Sequence, residues 1–168
     1  MQTNITYRQI IISDSEEIYN VALEAWNHTY KDIFTPAYMK NYIDKFYSKE
    51  TMQKQLPLIE KEEMFFEVAE ENKNIIGFCN IEIKDTYKAE LLRIYLKPSY
   101  IGKGIGKKLL LNGEKFLISK NVKKLYCYAH KENKLGRQFY LKKGFEITSK
   151  EPNELFNNEC DFLFEKEL

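Results

Sequence analysis

The sequence predicts a mixed α/β domain, and three observations lead to this fold class. The first is a stretch at 89–117, in which an apolar strand, a glycine-rich loop and a helix follow one another. The second is that further strand-like segments precede, separate and follow two helices of this kind. The third is size, because 168 residues with 43% hydrophobic content suit one sizeable core. We therefore expect residues 1–168 to form a single domain.

The chain begins with a predicted strand and helix. Loosely alternating apolar residues at 5–11 predict the strand. Ser13 and Glu16 have the spacing of a capping box, which predicts the start of the first helix. Apolar residues recur at helical spacing from Ile18 to Trp26, so this helix is expected to bury one face.

Two more helices and a hairpin follow. Thr35 before Pro36 is typical of an N-cap with proline at the first helical position, and Ser48 suits a second cap. A turn at 71–74 between apolar runs predicts a β-hairpin. The remaining elements are a strand at 125–128, a helix at 133–143 with Gly144 as its C-cap, and strands at 145–148 and 160–167 joined by a polar loop with Pro152, Asn153, Asn157 and Asn158.

Composition excludes several classes of function. The 26 basic and 25 acidic residues give a net charge of +1, which argues against a nucleic-acid binder. No apolar run approaches the length of a membrane span, and the first residues lack a secretion signal, so we expect a cytoplasmic protein. The three cysteines, Cys79, Cys127 and Cys160, fit neither a disulfide framework nor zinc spacing. We expect them to be reduced thiols in the core, and we expect no metal site.

The loop from Gly102 to Gly106 carries the clearest chemical signal. Glycines at alternate positions before a helix expose backbone N–H groups, which together with the helix dipole bind anions. Lys103, Lys107 and Lys108 add positive charge, so the loop is expected to bind a phosphate or pyrophosphate. A tight strand-to-helix turn that only needs glycine is the alternative. The spacing fits neither a P-loop nor a dinucleotide fingerprint.

This loop resembles the acetyl-CoA-binding core of the GNAT N-acetyltransferases, which has the pattern Gln/Arg-x-x-Gly-x-Gly/Ala. Ile101 departs from the pattern at the Gln/Arg position, which removes one side-chain contact and leaves the backbone donors. A second block, from Asn133 through Tyr140 to Gly144 and Phe145, is similar to the family's N-x-x-x-x-x-F-Y-x-x-x-G-F block. The resemblance extends over nearly the whole chain.

The resemblance implies a GNAT-like α/β (α+β) fold with a mixed, mostly antiparallel sheet, splayed central strands and helices on both faces. Pantetheine would enter the gap between the splayed strands. An N–H of Ile94 or Tyr95 would bind the thioester carbonyl, and Asn133 would hold pantetheine. Acetyl-CoA is thus the implied co-substrate. The residues implied in its binding are Ile94, Tyr95, Leu96, Ile101, Gly102, Lys103, Gly104, Ile105, Gly106, Asn133 and Tyr140.

The same resemblance assigns catalytic roles. Tyr140 would protonate the departing sulfur as general acid, although packing beneath the sheet is an alternative role. Glu90 would act as general base through water, although a surface carboxylate at the end of the strand is an alternative role, and Glu82 and His130 are weaker candidates for the base. Acetyl transfer through Cys127 is a further alternative to direct transfer. A thioester is already activated, so the reaction requires no metal.

The acceptor is expected to be a primary amine. The segments AELLRIYLKPSY and EAWNHTYKDIF are similar to PaiA-type polyamine N-acetyltransferases, which implies spermidine or spermine. Protein N-termini, lysines and aminoglycosides are alternative acceptors, and a non-catalytic CoA-binding regulator is an alternative of another class. The acidic residues of the predicted helices, Glu24, Asp32 and Asp44, either attract a polycation or form a solvated face. Many members of the family dimerise, so a homodimer stays open.

Three aromatic residues near the end of the first helix have two interpretations. Trp26, Tyr30 and Phe34 either belong to the core or form a lid over the acetyl group, since this segment flanks the acceptor site in the family that the chain resembles. Lys142 and Lys143 also have two interpretations. They either reach the 3′-phosphate of the cofactor or are ordinary solvated lysines.

Overall fold

The computed structural model describes residues 4–153 and 159–168, with side chains throughout except at 159 and 160. The predicted loop residues Asn157 and Asn158 and the Cys160 thiol therefore lie outside the described residues. The other two cysteines, Cys79 and Cys127, are fully buried and unbonded to each other, as expected of core thiols.

Seven strands of the described chain form one sheet. All neighbouring strands in it are antiparallel except one central pair, which confirms the predicted mixed sheet. The strands are β1 (Ile5–Gln9), β2 (Met64–Glu71), β3 (Asn74–Ile83), β4 (Lys88–Leu96), β5 (Lys124–His130), β6 (Glu146–Asn153) and β7 (Glu159–Glu167). Their order across the sheet is β1-β2-β3-β4-β5-β7-β6.

The helices cover both faces of this sheet. They are α1 (Ser15–Tyr30), α2 (Pro36–Phe46), α3 (Lys49–Glu60), α4 (Ile105–Ser119) and α5 (Lys134–Lys142). One buried cluster joins α1, α2 and α3 to the sheet around Phe78, and a second joins α4 and α5 to the opposite face around Cys79. Phe78 and Cys79 are neighbours in β3, so the alternation of the strand supplies both clusters. Among the described helices, none has the length and apolar character to cross a membrane.

The start of α1 differs from the prediction. The Ser13–Glu16 capping box does not form, because a short 3-10 turn at 12–14 precedes the helix and α1 begins only at Ser15. The Asp14 carboxylate accepts the Ile11 N–H at 2.9 Å and binds the Arg8 guanidinium at 2.8 Å. This charged pair fixes the turn and displaces the predicted cap.

The predicted caps of α2 and α3 are confirmed. The Thr35 side chain accepts the Tyr38 N–H at 3.2 Å, and the Ser48 hydroxyl accepts the Thr51 N–H at the same distance. Such bonds satisfy backbone donors that have no partner inside the helix. Both depend only on residues three positions apart, which explains why the sequence predicts them.

Strand β6 is longer than predicted. Pro152 and Asn153 were expected in a loop but pair with Cys160 and Glu159 of β7. A proline lacks the N–H that a ladder needs, which suggested a loop. β6 is the last strand of the sheet, however, and proline is compatible with an edge strand.

The two central strands separate part of the way along their length. β4 pairs with β5 only over three residues, from Lys88 opposite Lys124 to Glu90 opposite Tyr126. Beyond this point β4 stays with β3 and β5 stays with β7. A gap therefore opens between 91–96 and 127–130, which confirms the splayed strands implied by the resemblance.

Candidate active site

A cavity of about 420 Å³ lies at this gap. Its walls come from α1, the end of β4, the glycine loop with the start of α4, and α5. The cavity brings together nine of the residues predicted for the site. These are Ile94, Tyr95, Leu96, Ile101, Gly102, Gly104, Gly106, Asn133 and Tyr140.

The β4 wall offers backbone groups on the side that faces the gap. The side chains of Ile94 and Leu96 pack toward α4, while Tyr95 packs into the cluster beneath α1. The Trp26 indole N–H donates to the Tyr95 hydroxyl at 3.1 Å, and the Tyr95 ring meets Phe78 edge-on at 5.6 Å. The side chains thus fix the strand, and its free edge can bond an extended chain that carries amide groups.

The glycine loop has the geometry of an anion site. Gly102 and Gly104 both have φ of +83°, a conformation that favours glycine. The first hydrogen bond within α4 runs from the Lys108 N–H to the Gly104 carbonyl at 3.1 Å. The N–H groups of the preceding positions, 105–107, have no acceptor inside the helix. They lie at the positive end of the helix dipole, where a phosphate binds favourably.

Two predicted loop residues have side chains that do not line the cavity. The Ile105 side chain is buried in the core beneath α4, so only its backbone is available to a ligand. The Lys103 ammonium lies 4.7 Å from the centre of the Tyr100 ring. Three other lysines do line the cavity, and they give it positive charge: Lys107, Lys142 and Lys143.

Asn133 caps α5 and also connects it to α1. Its side-chain oxygen accepts the Gly136 N–H at 2.8 Å, and its side-chain nitrogen donates to the Tyr30 hydroxyl at 3.0 Å. A Cβ at Gly136 would lie 2.7 Å from that nitrogen, so glycine at this position leaves room for the amide. Asn133 therefore holds two walls of the cavity together.

Tyr140 is 8% exposed and lines the cavity from α5. Its ring packs on Phe145 and Phe164, with centroid distances of 5.6 and 5.4 Å. Burial raises the pKa of the Tyr140 hydroxyl well above its ordinary value, and the neighbouring Cys127 adds to this effect. The hydroxyl is therefore protonated at neutral pH, which is the state that a proton donor needs.

The three residues predicted as candidate bases, unlike Tyr140, do not line the cavity. The Glu90 carboxylate lies 3.2 Å from the Lys84 ammonium and accepts a bond from the Tyr126 hydroxyl at 3.3 Å. Glu82 pairs with the same lysine at 2.7 Å. His130 is buried at the end of β5, where its Nδ1 accepts the Glu132 N–H at 3.2 Å. None of the three predicted bases is among the described residues that line the cavity.

Six cavity residues were not predicted as binding residues. The sequence predicts Tyr30 only as core or lid, and the structure shows that it is both buried and part of the cavity wall. On α5, Leu135 and Phe139 are four positions apart and therefore share a face, a signal that helical periodicity could have supplied. The other three are Ala25, Thr29 and Gly136.

The cavity suits acetyl-CoA. Its loop and lysines fit a pyrophosphate, and the free strand edge fits the amide groups of pantetheine. The Cys127 thiol fits a nucleophile poorly, because burial raises its pKa and keeps it protonated. In the part of the chain that the structure describes, no group of three or more His, Cys, Asp or Glu side chains could hold a metal ion.

Comparisons with known proteins agree with this geometry. The Acetyltransferase (GNAT) family pattern matches residues 21–145. Spermidine N(1)-acetyltransferase from Thermoplasma acidophilum is 35% identical over 164 residues, which cover 97% of each chain. The crystal structure of PaiA N-acetyltransferase from that organism in complex with coenzyme A superposes with a TM-score of 0.89 at 35% identity, over 98% of this chain and 99% of that chain. Ard1 from Thermoplasma volcanium shares the fold, with a TM-score of 0.76 at 17% identity over 98% of this chain and 97% of that one. The chain therefore belongs to the GNAT acetyltransferase family and is an acetyl-CoA-dependent N-acetyltransferase.

Proposed function

We propose that the enzyme transfers the acetyl group of acetyl-CoA directly to a primary amine of a polyamine such as spermidine or spermine. The observation that carries the choice of acceptor is the 35% identity to a spermidine N(1)-acetyltransferase across nearly the full length of both chains. The cavity at the splayed strands supplies a matching site for the acetyl donor.

The proposed binding mode follows the walls of the cavity. The N–H groups at 102–106 bind the pyrophosphate of acetyl-CoA, and Lys107, Lys142 and Lys143 add charge attraction. The backbone at 94–96 pairs with pantetheine along the free edge of β4, and Asn133 holds the opposite wall. Ile101 replaces the family's Gln or Arg, so the backbone carries more of the contact with phosphate.

The proposed reaction requires few groups. An N–H at Ile94 or Tyr95 polarises the thioester carbonyl and stabilises the developing oxyanion. The amine nitrogen forms the new bond to the carbonyl carbon, the carbon–sulfur bond breaks, and the sulfur receives the Tyr140 proton. Glu90 is the proposed base for the proton that leaves the amine. It is the last β4 residue paired with β5 before the gap, and a water chain from there would carry the proton.

The test is the release of the CoA thiol from acetyl-CoA in the presence of a panel of amines. The panel contains spermidine, spermine, an aminoglycoside and short peptides with free N-termini and lysines. Turnover with polyamines alone supports the proposal. Turnover with peptides or the aminoglycoside instead would replace the acceptor class. Tight binding of acetyl-CoA without turnover on any amine would favour a non-catalytic regulator.

Three broader predictions belong to the same proposal. One continuous sheet carries both core clusters, so we propose that residues 1–168 act as one acetyltransferase domain. The unbonded thiols of Cys79 and Cys127 are consistent with the predicted cytoplasmic location. The homodimer stays a prediction, which sedimentation of the purified enzyme would test.

A further inference from the structure

Beyond the gap, the sheet presents a row of polar side chains on its α1 side. In the antiparallel strands β5, β7 and β6, His130 lies opposite Asp161, and Asp161 lies opposite Glu151. Residues directly opposite each other in antiparallel strands project from the same face. Tyr128 lies two positions before His130 and is on that face as well. We call Tyr128, Asp161 and Glu151 the acidic face.

Asp161 has an incomplete set of hydrogen bonds. Its side chain is only 4% exposed, and one carboxylate oxygen accepts a bond from the Asn153 side-chain amide at 2.6 Å. The other oxygen, Oδ1, is buried and has no hydrogen-bond partner among the described residues. A buried carboxylate oxygen without a donor is costly, and the cost disappears when a donor binds.

Glu151 increases the negative charge at this point. Its carboxylate accepts the Ser149 hydroxyl at 3.0 Å and lies close to the Tyr128 hydroxyl. Within the described chain, neither Glu151 nor Asp161 forms an ion pair with a lysine or arginine. His130 and Glu151 lie opposite Asp161 on its two sides in the sheet: the charge of His130 interacts favourably with the Asp161 carboxylate, and Glu151 adds a second carboxylate that a bound cation would neutralise.

Aromatic rings connect the acidic face to the cavity. The His130 ring meets Phe34 at a centroid distance of 5.3 Å and Tyr30 at 6.3 Å, and Tyr30 lines the cavity. Burial is the main cause that raises the pKa of the Tyr30 hydroxyl, and the charge of Asp161 adds to it, so Asp161 lies within electrostatic reach of the cavity wall. Faces of aromatic rings attract ammonium groups.

The helix acids are less suited to this role. The Asp44 carboxylate is already bound at 2.6 Å by both the Lys40 ammonium and the Tyr19 hydroxyl, and it is exposed to solvent. Glu24 on α1 and Asp32, which lies just beyond the end of α1, are also exposed. A buried carboxylate with one oxygen that lacks a donor, such as Asp161, offers a ligand more than a solvated, paired one.

We propose that Asp161, with Glu151 opposite, binds the second ammonium group of the acceptor, the one that is not acetylated. This inference rests on the proposed transfer to polyamines and names the residues that select them. The reacting amine lies at the gap beside Tyr140, and the methylene chain passes the rings of Tyr30 and Phe34. The acidic face thus selects acceptors with at least two amine groups over monoamines.

The test compares acceptors of different length on three variants. Initial rates are measured with spermidine, with a diamine and with a monoamine of the same carbon chain. Asp161→Asn keeps the size of the side chain and removes the charge, and Glu151→Gln does the same at a less buried position. Glu167→Gln is the matched control, because this exposed carboxylate lies at the far end of β7 and pairs with Lys124 at 3.3 Å.

We expect Asp161→Asn to raise the KM for spermidine and the diamine about tenfold or more, with a smaller rise for Glu151→Gln. The KM for the monoamine, kcat and the Kd for acetyl-CoA should stay within about twofold. The control should match the wild type with every acceptor. Thermal unfolding of each variant checks that the fold is retained.

Two outcomes overturn the inference in different ways. If the wild type acetylates polyamines but both variants keep its KM, or lose activity equally with the monoamine, the acidic face does not select the acceptor. If the wild type acetylates no polyamine, the proposed function itself fails, and this inference fails with it. Because the first result requires active wild-type enzyme, the two failures are distinguishable.

Discussion

The side-chain nitrogen of Asn133 donates to the Tyr30 hydroxyl at 3.0 Å and so joins the start of α5 to the end of α1. Replacing Asn133 with alanine removes this bond and the cap on the Gly136 N–H. We expect a loss of about 1 to 2 kcal/mol in the free energy of unfolding, typical of an N-cap with a second bond. We also expect weaker acetyl-CoA binding, because two cavity walls lose their connection. Urea denaturation and calorimetric titration measure the two effects.

The matched control for this variant is Thr35→Ala. Thr35 caps α2 in the same way, by accepting the Tyr38 N–H at 3.2 Å, but it does not line the cavity. Thr35→Ala should lower the free energy of unfolding by a similar amount, about 1 kcal/mol, and leave the Kd for acetyl-CoA unchanged. Equal Kd values for both variants would mean that Asn133 serves only the stability of the fold.

Local signals in the sequence predicted most elements of this fold. The caps at Thr35 and Ser48 and the glycine loop before α4 depend on residues a few positions apart, so their chemistry is visible in the chain itself. The capping box predicted at Ser13 does not form, although it is an equally local signal. Arg8 and Asp14 form a pair that competes with it, and local patterns do not rank such competitors.

The features that depend on strand pairing were not visible in the pattern. The gap between β4 and β5 follows from where their register ends, at Glu90 opposite Tyr126, and the family resemblance rather than the pattern predicted it. His130 had no evident partner in the sequence, because Asp161 reaches it only through the pairing of β5 with β7. The acidic face was therefore missed entirely.

The glycine loop supports a second prediction. Gly104 has φ of +83° and no heavy atom within 4 Å of an added Cβ, so Gly104→Ala acts through backbone strain alone. We expect a cost of about 1 kcal/mol in the free energy of unfolding and, as the loop shifts, at least tenfold weaker binding of acetyl-CoA. Gly144→Ala is the control, since Gly144 has φ of +84° beyond the end of α5. It should lose similar stability with no change in affinity, and affinity lost equally in both would remove the loop's assigned role.

Tyr140→Phe tests the proposed proton donor. The substitution keeps the ring that packs on Phe145 and Phe164 and removes only the hydroxyl. Loss of a general acid typically lowers turnover about 100-fold or more, and the departing thiolate would then lack its proton donor. We expect kcat to fall by that factor, with the Kd for acetyl-CoA within about threefold of the wild type. Unchanged kcat in stopped-flow turnover would exclude Tyr140 as the acid.

Cys127→Ala distinguishes direct transfer from an acyl-enzyme. Burial raises the pKa of the Cys127 thiol, so almost none of it is the thiolate that attack requires. For direct transfer, kcat should change by less than about fivefold, while the small cavity left in the core costs about 1 kcal/mol of stability. Mass spectrometry after mixing wild-type enzyme with acetyl-CoA should find no acetylated protein. Acetylation that disappears in the variant would establish the covalent route.

The final prediction concerns how the free energy of unfolding changes with pH because of the Asp161 carboxyl. Burial raises the pKa of its carboxyl, although the Asn153 amide and the charge of His130 oppose the rise. Glu151 faces it from β6, and Tyr30 and Tyr42 lie on the helices opposite. The folded state thus binds this proton more tightly than the unfolded state. The charged form therefore costs its full amount of stability above the folded pKa, and this cost decreases as the pH falls from the folded pKa to the unfolded pKa.

Asp161→Asn should therefore raise the free energy of unfolding near neutral pH, by about 1 kcal/mol, and this gain should shrink toward pH 4. Asp85→Asn is the opposite case, because the N–H groups of Tyr87 and Lys88 lower the pKa of the Asp85 carboxyl. That variant should lose stability at neutral pH and approach the wild type in acid. Urea denaturation at both pH values measures each difference. A less stable Asp161→Asn at neutral pH would mean that the Asn153 amide and the charge of His130 more than offset the cost of burying the carboxylate. The acidic face would then be a structural feature and not a binding site for a cation.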